Sequence, residues 1–587
     1  MEQSFFLLAA TFLPLLTAPI AFALGRKSSV NATVWFSFGV LAVSTALLLL
    51  PAMGLTGSQS YSETYKWGQF GDFGLRLDGI SIPFAFLIYL AATIIALFSK
   101  PYMVRKLTDD LSTPARTASG EGPYPGSTGP ADTASSEEMT PPPGIGANAY
   151  STSATQVTVL ETQRQVNRQM GLYYALYLAF SMGMLGTVLA TNLIEFYVFF
   201  ELMLVPSFFL VALFGYGARS RVALMFLFWT HVGAAVLLLG LLAMGFFAGG
   251  FDYATVKENA AKIPAQWLSL IVFALVVGLG VKLAAFLFHI WLPHTYAQAP
   301  TPISALLSSA MTGIGAYGLL RLWMELLGGS YDQYSLYINI WGLATMIYGG
   351  AMALMQDDIK KVLAYSSISQ MGYILFGLGS GSVLGISGAT LLFVTHGLAK
   401  AALFMMAGSV ILQTGTVRMS KLGGLAGKMP YTAVFAMIAG LTLIGIPPTS
   451  GFMSEWVMFN GVLQTATHNH DSVRATLFAL GILATILSTA YLLWMYKRIF
   501  FGKIPEELAH VKDSGRYVTV TMAAFAAITL IIGVIPDMLL SPIVGYVQGM
   551  FGPAQSTVLP VPVPGQAAAM MSGPPSSGGA GAPGSGG

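Results

Sequence analysis

Five side chains have the type and placement to carry ions through lipid. Glu201, Lys282 and Lys400 stand in mid-run of NLIEFYVFFELMLVPSFFLVALF, WLSLIVFALVVGLGVKLAAFLFHIWL and SGATLLFVTHGLAKAALFMMAGSVIL. A charge at bilayer depth costs about 2.5–3.5 kcal/mol on insertion scales, so such residues face the protein interior and mark an ion path. His396 precedes Lys400 by four residues, on the same helical face. Imidazole titrates near physiological pH, so the two could relay protons. Glu455 follows GIPPTSG, whose prolines and glycines break a helix; an acid beside such a break suits the end of a proton wire.

The first expectation is a Glu201–Lys282 pair. A buried amine holds its proton less tightly, and a nearby carboxylate reverses that. Changing their separation would then bind and release a proton; the plain alternative is a static pair orienting two helices. His231, His289 and His294 are secondary candidates, since a lone histidine is more often a satisfied core residue. Glu195 is expected at a rim, six residues from Glu201, and Asp78 as a cap or an acid at the outer mouth.

The elements that must hold these residues are membrane helices. Of 587 residues, 55% are hydrophobic and 9% charged, against roughly 25% charged in soluble domains. Net charge is +3, too small to argue for nucleic acid. Cysteine is absent, which excludes disulfides, Cys-ligated iron–sulfur clusters and thiolate zinc sites. The histidines and carboxylates lack metal-ligand spacing, and no nucleotide-binding loop or nucleophile elbow is present. No metal, cofactor or redox chemistry is expected in this chain.

About 20 apolar residues span the hydrocarbon. Fourteen spans are expected: 4–24, 30–52, 78–99, 171–190, 192–216, 221–249, 265–293, 300–325, 335–355, 362–380, 384–413, 430–464, 475–501 and 517–540. The first is read as a retained helix, not a signal peptide. With the N-terminus outside, 20 of the 28 Lys and Arg fall in cytoplasmic loops, five outside and three within spans. That bias predicts both termini outside. Residues 104–166, rich in Gly, Pro, Ser and Thr, are expected as a disordered cytoplasmic insertion with a short polar helix at 161–169. The segment 552–587 is expected as a Pro/Gly-rich tail. LFWTH at 227–231 recurs as LFVTH at 392–396. An offset of five helices would make two inverted units, 167–330 and 331–501, after helices 1–3 (1–103) and before helix 14 (502–551).

FYVFFELMLVP, the Lys282-to-FHIWLP stretch, AQAPTPIS, AYGLLR, KKVLAYSSISQMGY and THGLAKAALF resemble the antiporter-like membrane subunits of respiratory complex I. That family is shared with multi-subunit sodium/proton antiporters and membrane-bound hydrogenases. The likeness runs from about 170 to about 500. Within it, ELMLVP and Glu455 are most similar to the M type of NADH–quinone oxidoreductase. The resemblance implies fourteen helices, two inverted five-helix repeats and broken helices 7 and 12. It implies Glu201 and Lys282 as a coupling pair, His396 and Lys400 as the central relay, and Glu455 at the far end. NADH, FMN, Fe–S clusters and quinone are implied in partner subunits, which would be L-, N- and K-like.

Four positions depart from the family pattern. Gly313, or a neighbour, stands where a helix-8 lysine is usual. WLPHTY places His294 and Tyr296 where an acid and a histidine are usual. Leu287 replaces a proline before FH, and Lys400 is closer to the L or hydrogenase type. The function expected is proton translocation in a complex I-type translocase. The alternatives are a subunit of a sodium/proton antiporter or ion-pumping hydrogenase, and a structural subunit with impaired conduction.

Overall fold

The computed structural model describes residues 5–55, 59–68, 71–112 and 148–551. Eleven of its helices are long and apolar enough to cross a membrane. Helices also fill three other expected windows: Tyr331–Leu354, Ile359–Leu378, and the pair Pro430–Ile444 and Ser450–His468. This is a multi-pass helical bundle, and the helices Thr301–Glu325 and Val383–Thr414 run through its buried interior. Lys400 and His396 are carried on the second of these, so both are at the core rather than on a lipid face.

The expected span 265–293 is broken even without proline. The helix Ala265–Leu283 stops at Ala284 (φ 55°), and Leu287 adopts φ 80°, both left-handed. The Ala285 N–H reaches back to Gly280 O at 3.1 Å, closing the helix end. Exposed backbone at bilayer depth needs partners. Trp341 Nε1 donates to Phe286 O at 3.0 Å, Trp229 Nε1 to Phe288 O at 2.9 Å, and Phe286 N–H to Thr345 Oγ1 at 3.2 Å. Indoles thus do what the absent proline does not need to do. The GIPPTSG break closes in the same way: Gly445 has φ 75° and Ile446 N–H donates to Leu441 O at 3.1 Å.

Two elements were not expected. Strands β1 (Tyr61–Lys66) and β2 (Asp72–Leu77) form an antiparallel hairpin, with Glu63 paired to Leu75. Glu63 turns inward and accepts from Leu7 and Leu8 N–H, both at 2.9 Å, capping the first helix, Phe6–Lys27. Those N–H groups have no partner within their own helix, and a carboxylate suits the positive helix end. The expected last span ends at Val534, and a separate helix, Asp537–Met550, packs back on the bundle beneath Tyr331 and Tyr546 contacts.

The insertion is shorter than 104–166 where the structure describes it. Residues 104–112 extend the helix Ser81–Ser112, and 148–166 belong to the helix Asn148–Leu189. Val166 is buried, and Asn167 Nδ2 donates to Ser28 O at 3.2 Å. Docking on the end of the first helix offsets the ordering entropy that composition alone argued against. Residues 113–147 and the tail 552–587 lie outside the described residues.

Candidate functional site

Asn192 starts the helix that carries Glu201. Its side chain accepts from Ile194 and Glu195 N–H at 2.9 and 3.5 Å. The helix pauses after Leu202, because Pro206 offers that carbonyl no N–H. Glu201 therefore sits just before a kink. Its carboxylate does not meet Lys282: Oε2 lies 3.1 Å from His231 Nδ1. The pair opens to the side of the chain, with Glu201 23% and His231 59% exposed.

Lys282 is nearly inaccessible, and its Nζ has no hydrogen-bond partner among the described residues. It stands 4.9 Å from the centre of the Phe200 ring, the neighbour of Glu201. Glu201 is near enough for its charge to be felt there. The expected ion pair is thus held apart, with an aromatic face in front of the ammonium and a histidine on the carboxylate. The Glu201 side chain turns instead to His231, thirty residues on, a pairing that no spacing rule connects.

Lys400 is fully buried and bound to neutral partners. Its Nζ donates to Leu363 O at 3.0 Å and to Ser366 Oγ. Ser366 and Ser367 Oγ donate to the same carbonyl at 2.9 and 3.0 Å. Ser367 Oγ meets Ser308 Oγ at 2.9 Å. Ser308 lies in a π-helical segment, Leu307–Met311, where the helical ladder is loosened. Tyr296 OH bonds Thr312 Oγ1 at the far edge of the same segment. His396 is buried near the Ser308 main chain. Neither of its ring nitrogens has a partner in hydrogen-bond geometry among the described residues. His396 and Lys400 therefore share a face without bonding each other.

Thr395 Oγ1 meets Ser454 Oγ at 3.1 Å, joining the His396 helix to the Glu455 helix. Glu455 borders a cavity of about 350 Å³ with Gly445, Trp456, Asn460 and Thr485. Its carboxylate packs against Gly445: a side chain there would meet Oε2 at 2.6 Å.

The remaining candidates are placed off this axis. His289 Nε2 pairs with Tyr348 OH at 2.8 Å, in the break, and His294 is exposed beside Lys361. Glu195 is not at a rim. It is buried under the hairpin, and Oε2 accepts from Gly74 N–H at 3.2 Å and Thr191 N–H at 3.3 Å. Asp78 is buried in a charged cluster, 2.8 Å from Arg321 and 2.9 Å from Arg76; Arg321 also binds Glu325. Burial alone would raise the Asp78 carboxyl, but the Arg321 and Arg76 guanidiniums outweigh it and hold it well below the usual range. Sequence reasoning missed the hydroxyl set Ser308, Ser366, Ser367, Thr395 and Ser454. Paired hydroxyls inside apolar spans, as in LLSSAM and YSSIS, were its only signal.

Residues 190–486 match the family described as NADH:quinone oxidoreductase/Mrp antiporter, TM. The chain belongs to this family. An antiporter-like member, NADH-quinone oxidoreductase subunit M of Rickettsia prowazekii, is 31% identical over 66% of this chain and 77% of its own length. F(420)H(2) dehydrogenase subunit M of Methanosarcina mazei is 33% identical over 65% of this chain and 77% of its length. Among solved structures, respiratory complex I from Thermus thermophilus with bound NADH contains a similar fold. Its TM-score is 0.72 at 22% identity, covering 93% of this chain and all of that one. The Mrp complex from Dietzia sp. aligns with a TM-score of 0.73 at 20% identity, over 94% of this chain and 99% of that one.

Against the antiporter-like pattern, Gly313 is the departure with a structural cause. The Phe393 ring, stacked on Phe84 at 4.2 Å between centres, fills the space a side chain at 313 would need. Leu287 does not prevent the helix break, which forms around it.

Proposed function

We propose that this chain is an M-type proton-translocating subunit of a complex I-type translocase, coupling quinone reduction in partner subunits to proton movement. The observation that carries the proposal is Lys282: a buried amine without a hydrogen-bond partner, beside a Glu201–His231 pair that opens sideways. A carboxylate that can choose between a histidine and a lysine is a switch. Turned to His231, Glu201 leaves Lys282 to release its proton inward; turned to Lys282, it draws one in. From there the hydroxyls around Ser308 and Ser367 lead to Lys400, and Thr395 and Ser454 lead on to Glu455.

Moving one charge against the membrane potential requires about 2.3 kcal/mol per 100 mV. No redox group is expected here, so the work comes from neighbours. The sideways opening supports a protein neighbour, since a polar pair at bilayer depth needs cover. L-, N- and K-like subunits are the proposed company, carrying NADH, FMN, Fe–S and quinone chemistry between them and their soluble partners. We place fourteen crossings with both termini outside the inner cell membrane, and the matching closures at Gly280–Ala285 and Leu441–Ile446 support two inverted repeats.

The test is proton pumping by the assembled complex in proteoliposomes. Lys282→Ala and Glu201→Ala leave electron transfer measurable and lower pumping. Unchanged pumping in either variant overturns the reading.

A further inference from the structure

A second group of buried titratable side chains lies away from the axis. Lys106 is 1% exposed, yet its Nζ is 2.5 Å from Asp110 Oδ2, whose side chain is 30% exposed. Lys106 Nζ also stands 4.5 Å from the centre of the Tyr216 ring. Lys360 Nζ stands 5.6 Å from the same centre, so the two amines are no farther apart than those lengths combined. Lys360 is fully buried, and the partners described for its Nζ are two neutral oxygens, Ala297 O at 2.9 Å and Ala299 O at 2.5 Å. Asp358 is engaged with the Lys360 and Lys361 N–H groups at 2.8 and 3.2 Å. Tyr216 OH meets Tyr102 OH at 2.7 Å, and Thr301 Oγ1 meets Tyr102 OH at 2.8 Å.

We infer that Asp110, Lys106 and Lys360 form a proton-uptake site that loads the Lys400 hub from the Lys/Arg-rich side of the membrane. The inference rests on the proton-translocation reading above. Holding two helix-end carbonyls needs only a hydrogen-bond donor, which a neutral side chain supplies without burying charge. Two ammoniums on one aromatic ring repel each other, which eases the loss of a proton from one of them. The inward direction is set by the helix Ile359–Leu378. Ser367 follows Lys360 by seven residues, two turns on the same face, roughly 10 Å deeper. Ser367 Oγ and Lys400 Nζ then share Leu363 O.

The transfer moves protons only. Asp110 takes a proton from solvent and gives it to the neutral Lys106 amine, forming an ammonium. Lys106 gives one proton, past the Tyr216 and Tyr102 hydroxyls, to the neutral Lys360 amine and becomes neutral again. Each N–H bond broken is matched by one formed, and no electrons move.

The experiment uses the whole complex, purified with its partner subunits and sealed in vesicles with a pH-sensitive dye. Lys360→Arg keeps a donor for both carbonyls but cannot give up its charge. The expected result is near-normal quinone reduction with pumping down about tenfold or more. Lys361→Arg, on the same helix, pumps as the wild type does. Wild-type pumping by Lys360→Arg overturns the inference and makes Lys360 a structural cap. If Lys360 variants do not assemble, Lys106→Gln decides by the same two readouts. The underlying reading fails separately, when wild-type vesicles do not pump or Lys282→Ala has no effect.

Discussion

The ring of Phe393 occupies the side-chain space of Gly313. A carbon added to Gly313 would collide with Phe393 Cε2 and Cδ2. The family's usual lysine, expected at this position or a neighbour, therefore does not fit here without a rearrangement. Gly313→Lys or Gly313→Ala is expected to destabilise, by about 1–3 kcal/mol for overpacking of this kind. Gly313→Ala combined with Phe393→Leu recovers most of the loss. Thermal unfolding of the three variants in detergent checks this; a Gly313→Ala melting point equal to wild type rules out the collision.

Glu201 and His231 form one unit with Lys282 in reserve, so their mutations are expected not to add. Glu201→Gln and His231→Phe each slow pumping, and the double variant is little worse than Glu201→Gln alone. Contacting residues couple by about 0.5–3 kcal/mol. A double-mutant cycle on pumping rate reads the coupling, and strict additivity contradicts a shared role.

Lys400 separates stability from function. It has neutral partners, Leu363 O and Ser366 Oγ. Removing an unpaired buried charge removes its desolvation cost, and Leu363 O keeps its Ser366 and Ser367 donors. Lys400→Met is expected to melt no lower than wild type while pumping falls. A large drop in melting temperature would mean that the ammonium is structural.

Asp78 links pH to stability in its cluster with Arg76 and Arg321. Its carboxyl is held below its ordinary value, about 3.9 in peptides, so the folded state binds fewer protons than the unfolded one there. Its contribution is present above the unfolded value and is lost as pH falls toward the folded one. Asp78→Asn leaves Arg76 and Arg321 facing each other beside Glu325. Breaking a buried pair costs about 3–5 kcal/mol, so the variant melts well below wild type at pH 7. The gap narrows as pH drops below about 4. Melting curves at both pH values check the sign; a gap that widens in acid contradicts it.

The bundle was legible in the sequence because apolar runs near 20 residues have few other uses. The burial of Lys282 and Lys400 was legible for the same reason. What Glu201 touches was not, since His231 is thirty residues away and only helix packing brings them together. The plug at Gly313 was visible as a missing lysine but not as an aromatic ring, because Phe393 comes from another helix. Glu195 was misplaced because its cover, β2, alternates over only six residues and carries a short signal. The break at Ala284 was implied by the resemblance, but its hydrogen-bond partners were not, because Trp229 and Trp341 come from other helices. Hydroxyls such as Ser308 and Ser367 are too common in helices to stand out singly.

The Glu201–His231 notch also bears on how the protein is kept in the cell. A copy without a neighbour would set the part-exposed Glu201 and His231 side chains against acyl chains. Such an orphan is a worse membrane resident than the assembled one. Where a partner helix covers this pair, as proposed above, the abundance of this chain would follow that partner's arrival.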